Sequence, residues 1–378
     1  MAIYDGPEWT LHELSLSSFG GPTTLSAAYA INNKSGATEP RVSGIGTYMT
    51  QDQYGNYVPV SPGGWWQWPT PGTFMPIYNL PYYGLSTSPV KLVGWQGANA
   101  YVTTTSTAGF TYLPALYTAA WQATTAWGIN PSATYIVGSS KNSAARHRPV
   151  AWSSALTIFD LGGSAGFTQE GYAKAVNDQN QFAGQFNVQY NGGSAGNFAF
   201  RTKPGAYPIE FIPATGYGDV LHAILKSGLD NQVGEATWVS PNGTAVGWSL
   251  NDQNNREATY WNSALPASSI AATRLMRWQS PSGGTIETYS AAKCINAGGL
   301  IVGWSGAADT PSRAVLKRSA STSSQDWRDL NDRFFIHGYA GWVLRSADAI
   351  NDLNYVIGNG TLYGQPRAFL LVPRTPGN

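Results

Sequence analysis

A short hairpin-like unit recurs seven times along the chain, and no other feature of the sequence constrains the fold as strongly. It reads YAINNKSGATEPRVSG (29–44), YGLSTSPVKLVG (83–94), WGINPSATYIVG (127–138), KAVNDQNQFAG (174–184), TWVSPNGTAVG (237–247), KCINAGGLIVG (293–303) and DAINDLNYVIG (348–358). Each copy has an Asn or Ser marker: Asn32, Ser86, Asn130, Asn177, Ser240, Asn296 and Asn351, spaced 44 to 63 residues apart. A glycine follows each marker, 12 residues on in the first copy and 7 or 8 in the others: Gly44, Gly94, Gly138, Gly184, Gly247, Gly303 and Gly358. An Asn or Ser side chain hydrogen-bonds its own backbone to open a turn, and residues such as PNG or AGG tolerate positive φ, so the unit predicts a tight hairpin.

A five-residue apolar strand follows each hairpin: GWWQW (64–68), NAYVT (99–103), RPVAW (148–152), NFAFR (197–201), EATYW (257–261), RAVLK (313–317) and RAFLL (367–371). After six of these comes a further short strand; RAFLL has none, and EWTLHELSLSSFGG (8–21) stands unpartnered at the other end. A row of four-stranded units cut in this way closes into a ring by pairing its first strand with its last. The prediction is an all-β, seven-bladed β-propeller over 1–378, its last blade completed by residues about 9–16 and its sheet edges protected by closure. The excess length falls in three insertions, 45–62, 203–232 and 262–288, where loops on a rigid scaffold vary at little cost.

The repeat form A-x-x-I-N-x-x-G-x-I-V-G followed by R-A-F-L-W is similar to that of the HAF-type extracellular repeat family. DWRDLND (326–332) followed by SADAINDLNYVIGNGTLYGQPRAFLLVP (346–373) resembles that family's usual C-terminal unit. The resemblance implies a repeat architecture on bacterial secreted proteins and brings no catalytic motif.

Composition narrows function by exclusion. With 22 Lys+Arg against 21 Asp+Glu, the net charge is +1 and only 11% of residues are charged. That removes the clustered cations that nucleic acid or an anionic membrane surface requires. No stretch approaches a membrane span, and the start MAIYDGPEWTLHEL has no signal-peptide pattern. The lone Cys294 closes no intramolecular disulfide and sits in a repeat strand, where a small buried residue is expected.

Chemistry-bearing motifs are sparse. His12, His147, His222 and His337 are scattered without ligand spacing, so no metal and no cofactor is expected. The Asx clusters at 177–181, 251–255 and 330–333 lack the Asp ladder of a calcium loop and are read as turns. Glycoside hydrolysis needs a carboxylate pair, for which Glu210, Asp219, Asp230 and Glu287 are candidates outside the repeat. The box of sialidases finds Asn242 where its acid would stand.

Binding is the better-supported class. The segment 63–84 concentrates Trp65, Trp66, Tyr78, Tyr82 and Tyr83, rings suited to stacking on sugars or anchoring a protein. Repeated Trp positions elsewhere point to packing between blades, and Trp66 falls on a repeat strand. Residues 1–140 carry three basic side chains and five acids, leaving one arc of the ring nearly free of charge. The expectation is a non-enzymatic structural or interaction propeller, with a protein partner in a surface assembly, either a phage virion or a bacterial extracellular protein. The alternative is a carbohydrate-directed module, lectin or glycosidase, engaging a cell-surface glycan. The first repeat element begins within ten residues of Met1, which tilts the expectation toward the virion.

Overall fold

The computed structural model describes residues 9–16, 23–33, 40–67, 70–78, 81–104, 109–117, 123–162, 170–189, 195–202, 234–250, 253, 255–262, 273–275, 287–318, 327–332, 336–337 and 340–374. They form seven small antiparallel sheets in a ring, a seven-bladed β-propeller, with no helix among them. From the axis outward, the first blade runs Thr23–Ile31, Arg41–Gln51, Gly63–Gln67 and Thr70–Tyr78. The third runs Thr124–Ile129, Tyr135–Lys141, His147–Ser153 and Ile158–Asp160. The sixth runs Tyr289–Ile295, Ile301–Gly306, Arg313–Lys317 and Trp327–Asp329. The second and fifth blades repeat the pattern, and the fourth shows three strands among the described residues.

Closure follows the expected route. The strand Trp9–Leu14 lies antiparallel against Gln365–Pro373, pairing Leu11 with Leu371 and Leu14 with Ala368, and Ile336–His337 adds a parallel edge outside it. Leu14, Phe369 and Leu371 are fully buried there, and Arg367 Nε meets Glu13 Oε1 at 2.9 Å. The 262–288 insertion is smaller than expected, because Thr273–Arg274 pairs with Thr259–Tyr260 as the fifth blade's fourth strand. The 203–232 insertion lies outside the described residues.

The repeat pattern has a geometric cause. Inner strands converge on the axis, where space per residue is least. Four positions before the marker stand Ala28, Ala126, Ala173, Ala236, Ala292 and Ala347, all completely buried, with Tyr82 the exception in the second blade. The repeat glycines lie opposite these residues. A Cβ on Gly138 would overlap the carbonyl oxygen of Thr125, and one on Gly303 that of Ala291. Backbone approach of this closeness admits only glycine.

The markers both make their turns and join the blades. Asn351 Oδ1 accepts the Leu353 and Tyr355 N–H groups, at 3.1 and 2.9 Å, and Asn177 and Asn296 close their turns in the same way. The amide end then reaches outward to the next blade. Asn32 Nδ2 donates to Ser86 O, Asn177 Nδ2 to Ser240 O and Asn296 Nδ2 to Asn351 O, at 2.9 to 3.1 Å. Asn130 keeps its amide inside its own turn, on Ser132 and Thr134, and there Asp178 of the next blade accepts the Ser132 N–H instead. Tryptophans tie the blades farther out: Trp152 Nε1 donates to Pro114 O and Trp66 Nε1 to Ser15 O, at 2.8 and 2.7 Å. Buried indoles hydrogen-bonded in this way add specificity to apolar burial.

Candidate functional site

Every inner strand that pairs over its full length carries a β-bulge three residues before its marker. The register skips between Ala28 and Ala30, Ala126 and Gly128, Ala173 and Ala175, Ala236 and Trp238, Ala292 and Cys294, and Ala347 and Ala349. The skipped residues are Tyr29, Trp127, Lys174, Thr237, Lys293 and Asp348. In the second blade Tyr83 holds the same position, just ahead of the short strand Gly84–Leu85. A bulged residue is released from the ladder and its side chain is re-aimed. All seven line one axial chamber of about 290 Å³.

The chamber has an aromatic side and a charged side. Tyr29 and Tyr83 lie 4.8 Å apart between ring centroids, Tyr83 and Trp127 5.2 Å, and Trp95 backs Trp127 at 5.5 Å. Burial pushes the Tyr29 phenol up to about 12, so it is a neutral donor at physiological pH. On the next blade, Lys174 Nζ sits 3.6 Å from the Trp127 ring centroid and 3.9 Å from Glu235 Oε1. Burial lowers the Lys174 ammonium from the ordinary lysine value, against the pull of Glu235. Glu235 Oε2 also accepts Trp248 Nε1 at 3.1 Å. Asp348 Oδ2 accepts Ser346 Oγ at 2.8 Å and Asn359 Nδ2 at 2.7 Å, and burial raises its pKa although Lys293 opposes the shift.

On the marker side the chamber narrows. Trp238 stands where the other blades carry Ala30, Gly84, Gly128, Ala175, Cys294 and Ala349, and it lines both the chamber and a smaller cavity of about 70 Å³ beyond. One large residue among six small ones obstructs the axis between the two spaces.

The aromatic residues expected to form a binding surface are distributed differently. Trp65, Trp66 and Tyr82 are buried at 5%, 1% and 0% exposure, which takes them off the surface. Trp66 packs on Phe74 at 4.6 Å, and Tyr82 meets Tyr101 edge-on at 5.6 Å. They occupy positions that face neighbouring strands or blades, so repeat geometry claims them as core. Tyr78 ends the outer strand of the first blade, opposite Gly63. Of Trp65, Trp66, Tyr82 and Tyr83, it is Tyr83 that lines the chamber.

Tyr29, Trp127, Lys174, Lys293 and Asp348 were missed by sequence reasoning, though each opens its repeat as quoted. The available signal is variation: this position changes among Tyr, Trp, Lys, Thr and Asp while its neighbours stay mostly small. Of the carboxylate candidates, Glu287 Oε1 takes Arg313 Nε at 3.2 Å, and Glu210, Asp219 and Asp230 lie outside the described residues. Cys294 is completely buried, and burial pushes its thiol up to about 12. His147 Nδ1 lies 3.0 Å from Ser139 Oγ. Among the described residues no three His, Cys, Asp or Glu side chains gather as a metal site, and no helix is long and apolar enough to cross a membrane.

A second feature lies outside the ring. Arg41–Gln51 pairs with Gly63–Gln67 through residues 41–45, then continues past the blade to pair Tyr48–Gln51 with Tyr57–Val60. At the tip, Asp52 Oδ1 accepts the Tyr54 and Asn56 N–H groups at 2.8 and 2.9 Å, and Gly55 supplies a φ of 81°. Tyr54 and Tyr57 stand 78% and 68% exposed.

The bladed ring, closed by the pairing of Trp9–Leu14 with Gln365–Pro373 around an axial chamber, places the chain among the seven-bladed β-propellers. No family model matches it, and no curated protein does. Among solved structures it is similar to TolB from Acinetobacter baumannii, with 11% identity over 83% of this chain and a TM-score of 0.41. It is also similar to a putative TolB from Agrobacterium tumefaciens (12% identity, 77% of this chain and 89% of that one, TM-score 0.43). A third is Porphyromonas gingivalis dipeptidyl peptidase 4 (9% identity, 94% of this chain and 53% of that one, TM-score 0.42). The chain spans 65% of the length of the Acinetobacter protein. At these scores the likenesses carry nothing about function.

Proposed function

We propose that this propeller is a non-enzymatic interaction module, engaging a protein partner in a surface assembly, a virion or a bacterial cell surface, through the hairpin of its first blade. The exposure of Tyr54 and Tyr57 on a preorganised tip carries this reading. Tyrosines with few rotatable bonds, held out by a turn that is already closed, bind with little loss of side-chain entropy. Asp52 is the one charged group in the 45–62 segment, and it is spent on the turn itself. Depletion of charge around aromatic anchors is the composition of an interface centre.

The test places a photoreactive phenylalanine analogue at Tyr54 and irradiates the protein in the cells or particles that produce it. One discrete protein adduct is expected, lost when Tyr57→Ser is added, with thermal unfolding unchanged by either substitution. A wild-type adduct pattern that survives Tyr57→Ser, or no adduct at all, would sink the proposal.

A further inference from the structure

The axial chamber is independent of the hairpin and has its own chemistry. Four charged groups line it, Lys174 and Lys293 against Glu235 and Asp348, a balanced set. Three are already engaged. Lys174 lies against Glu235 and over the Trp127 ring, Glu235 takes the Trp248 indole, and Asp348 takes a hydroxyl and an amide. Lys293 differs: half-buried at the same wall, it has no ion pair within 4 Å and no side-chain hydrogen bond among the described residues. Of the four charged groups, the one left without an ion pair or side-chain hydrogen bond is therefore a cation, felt by Asp348 and Lys174 only at longer range.

Across from it stands the wall of Tyr29, Tyr83 and Trp127, mutually packed and held by the bulges. Flat rings of this kind offer π faces to a planar ring or to the C–H face of a sugar. A volume of about 290 Å³ is at the small end of ligand sites. A dianion such as phosphate would meet two carboxylates with one free cation, and an amine would find both carboxylates committed.

We propose that the axial chamber binds a small ring-bearing monocarboxylate, its carboxylate on Lys293 and its ring against Tyr29, Tyr83 and Trp127. Two sources share this chemistry, a sugar acid and an aromatic acid. The bulge explains how such a site arises on this fold. It frees one side chain per blade for the axis while the flanking small residues keep the ring packed.

The experiment is a calorimetric titration of the full chain with glucuronate, glucose and benzoate. Saturable binding of at least one carboxylate is expected; the stronger of the two identifies the source. Glucose is expected to bind at least about tenfold more weakly than glucuronate, the scale of one charge-assisted hydrogen bond. Lys293→Met should remove carboxylate binding by about the same factor. Lys293→Arg should retain most of it, and Lys141→Met, a lysine outside the chamber lining, should change nothing. Unfolding midpoints of the variants report whether each is folded. No saturable carboxylate binding, saturable binding of glucose as tight as that of the stronger carboxylate, or an unchanged Lys293→Met overturns the proposal.

Discussion

Asn351 donates its side-chain amide to the carbonyl of Asn32 at 3.0 Å, although 319 positions separate them in sequence. The bond joins the seventh blade to the first at the axis, and the backbone of the neighbouring pair repeats it, Asp352 N–H donating to Asn33 Oδ1 at 2.8 Å. The same residue type that shapes a local turn thus fastens the two ends of the ring.

Replacing that marker by the residue that other blades carry separates the two roles. Asn351→Ser keeps a turn-closing oxygen but cannot reach Asn32, whereas Asn130→Ser gives up an amide that bonds only within its own turn. Asn351→Ser is expected to cost about 1–2 kcal/mol more than Asn130→Ser in urea denaturation, the worth of a buried hydrogen bond and the carbonyl it strands. Equal costs would show that the interblade bond contributes nothing.

A repeat glycine and the glycine of the hairpin tip are required for different reasons, which substitution distinguishes. Gly303→Ala drives a methyl into the Ala291 backbone, which cannot yield without moving the inner strand. Gly55→Ala meets open space and pays only for its φ of 81°. Thermal unfolding should show about 1 kcal/mol for Gly55→Ala and more than about 3 kcal/mol, or failure to fold, for Gly303→Ala.

Cys294 provides a probe of opening. Its sulfur is completely buried and its thiol is raised to about 12, so no thiolate is present at neutral pH. A thiol reagent should react with native protein no faster than the chain unfolds, and stoichiometrically in denaturant. Rapid labelling of the native protein would contradict the packing of the sixth blade.

Asp348 makes stability depend on pH in an unusual direction. Burial raises its pKa in the folded chain, so the unfolded chain ionises first as pH rises, and ionisation favours unfolding. Its contribution is therefore full below the ordinary carboxylate value and declines as pH climbs through the raised one. Asp348→Asn lacks that decline. The unfolding midpoint of the variant is expected to gain on the wild type as pH rises from the ordinary carboxylate value through the raised one, and a pH-independent difference would show that burial imposes no cost.

The architecture was legible because its determinants are local and recur. Marker Asn, offset glycine and the five-residue strand each have a backbone cause that seven copies repeat, and RAFLL without a successor pointed to the strand at Trp9–Leu14. The site was not legible for the complementary reason. Trp65, Trp66 and Tyr82 look like a recognition cluster because they fall in one aromatic-rich segment, 63–84, yet each faces a neighbouring strand or blade. Lys293 and Tyr29 are 264 residues apart and line one chamber only because a bulge aims each at a common axis, a relation that appears once the seven repeats are arranged in a circle.

Ring closure also sets an order of events. Trp9–Leu14 is synthesised well ahead of Gln365–Pro373, Glu13 and its partner Arg367 lying 354 positions apart, so the strand waits for its partner while all the intervening blades are made. Six blades can assemble as they emerge, each from contacts close in the chain, while the seventh must wait for both ends. The barrier to the native state is then the search for one distant strand, and folding is expected to be slow for a protein built almost entirely of short hairpins.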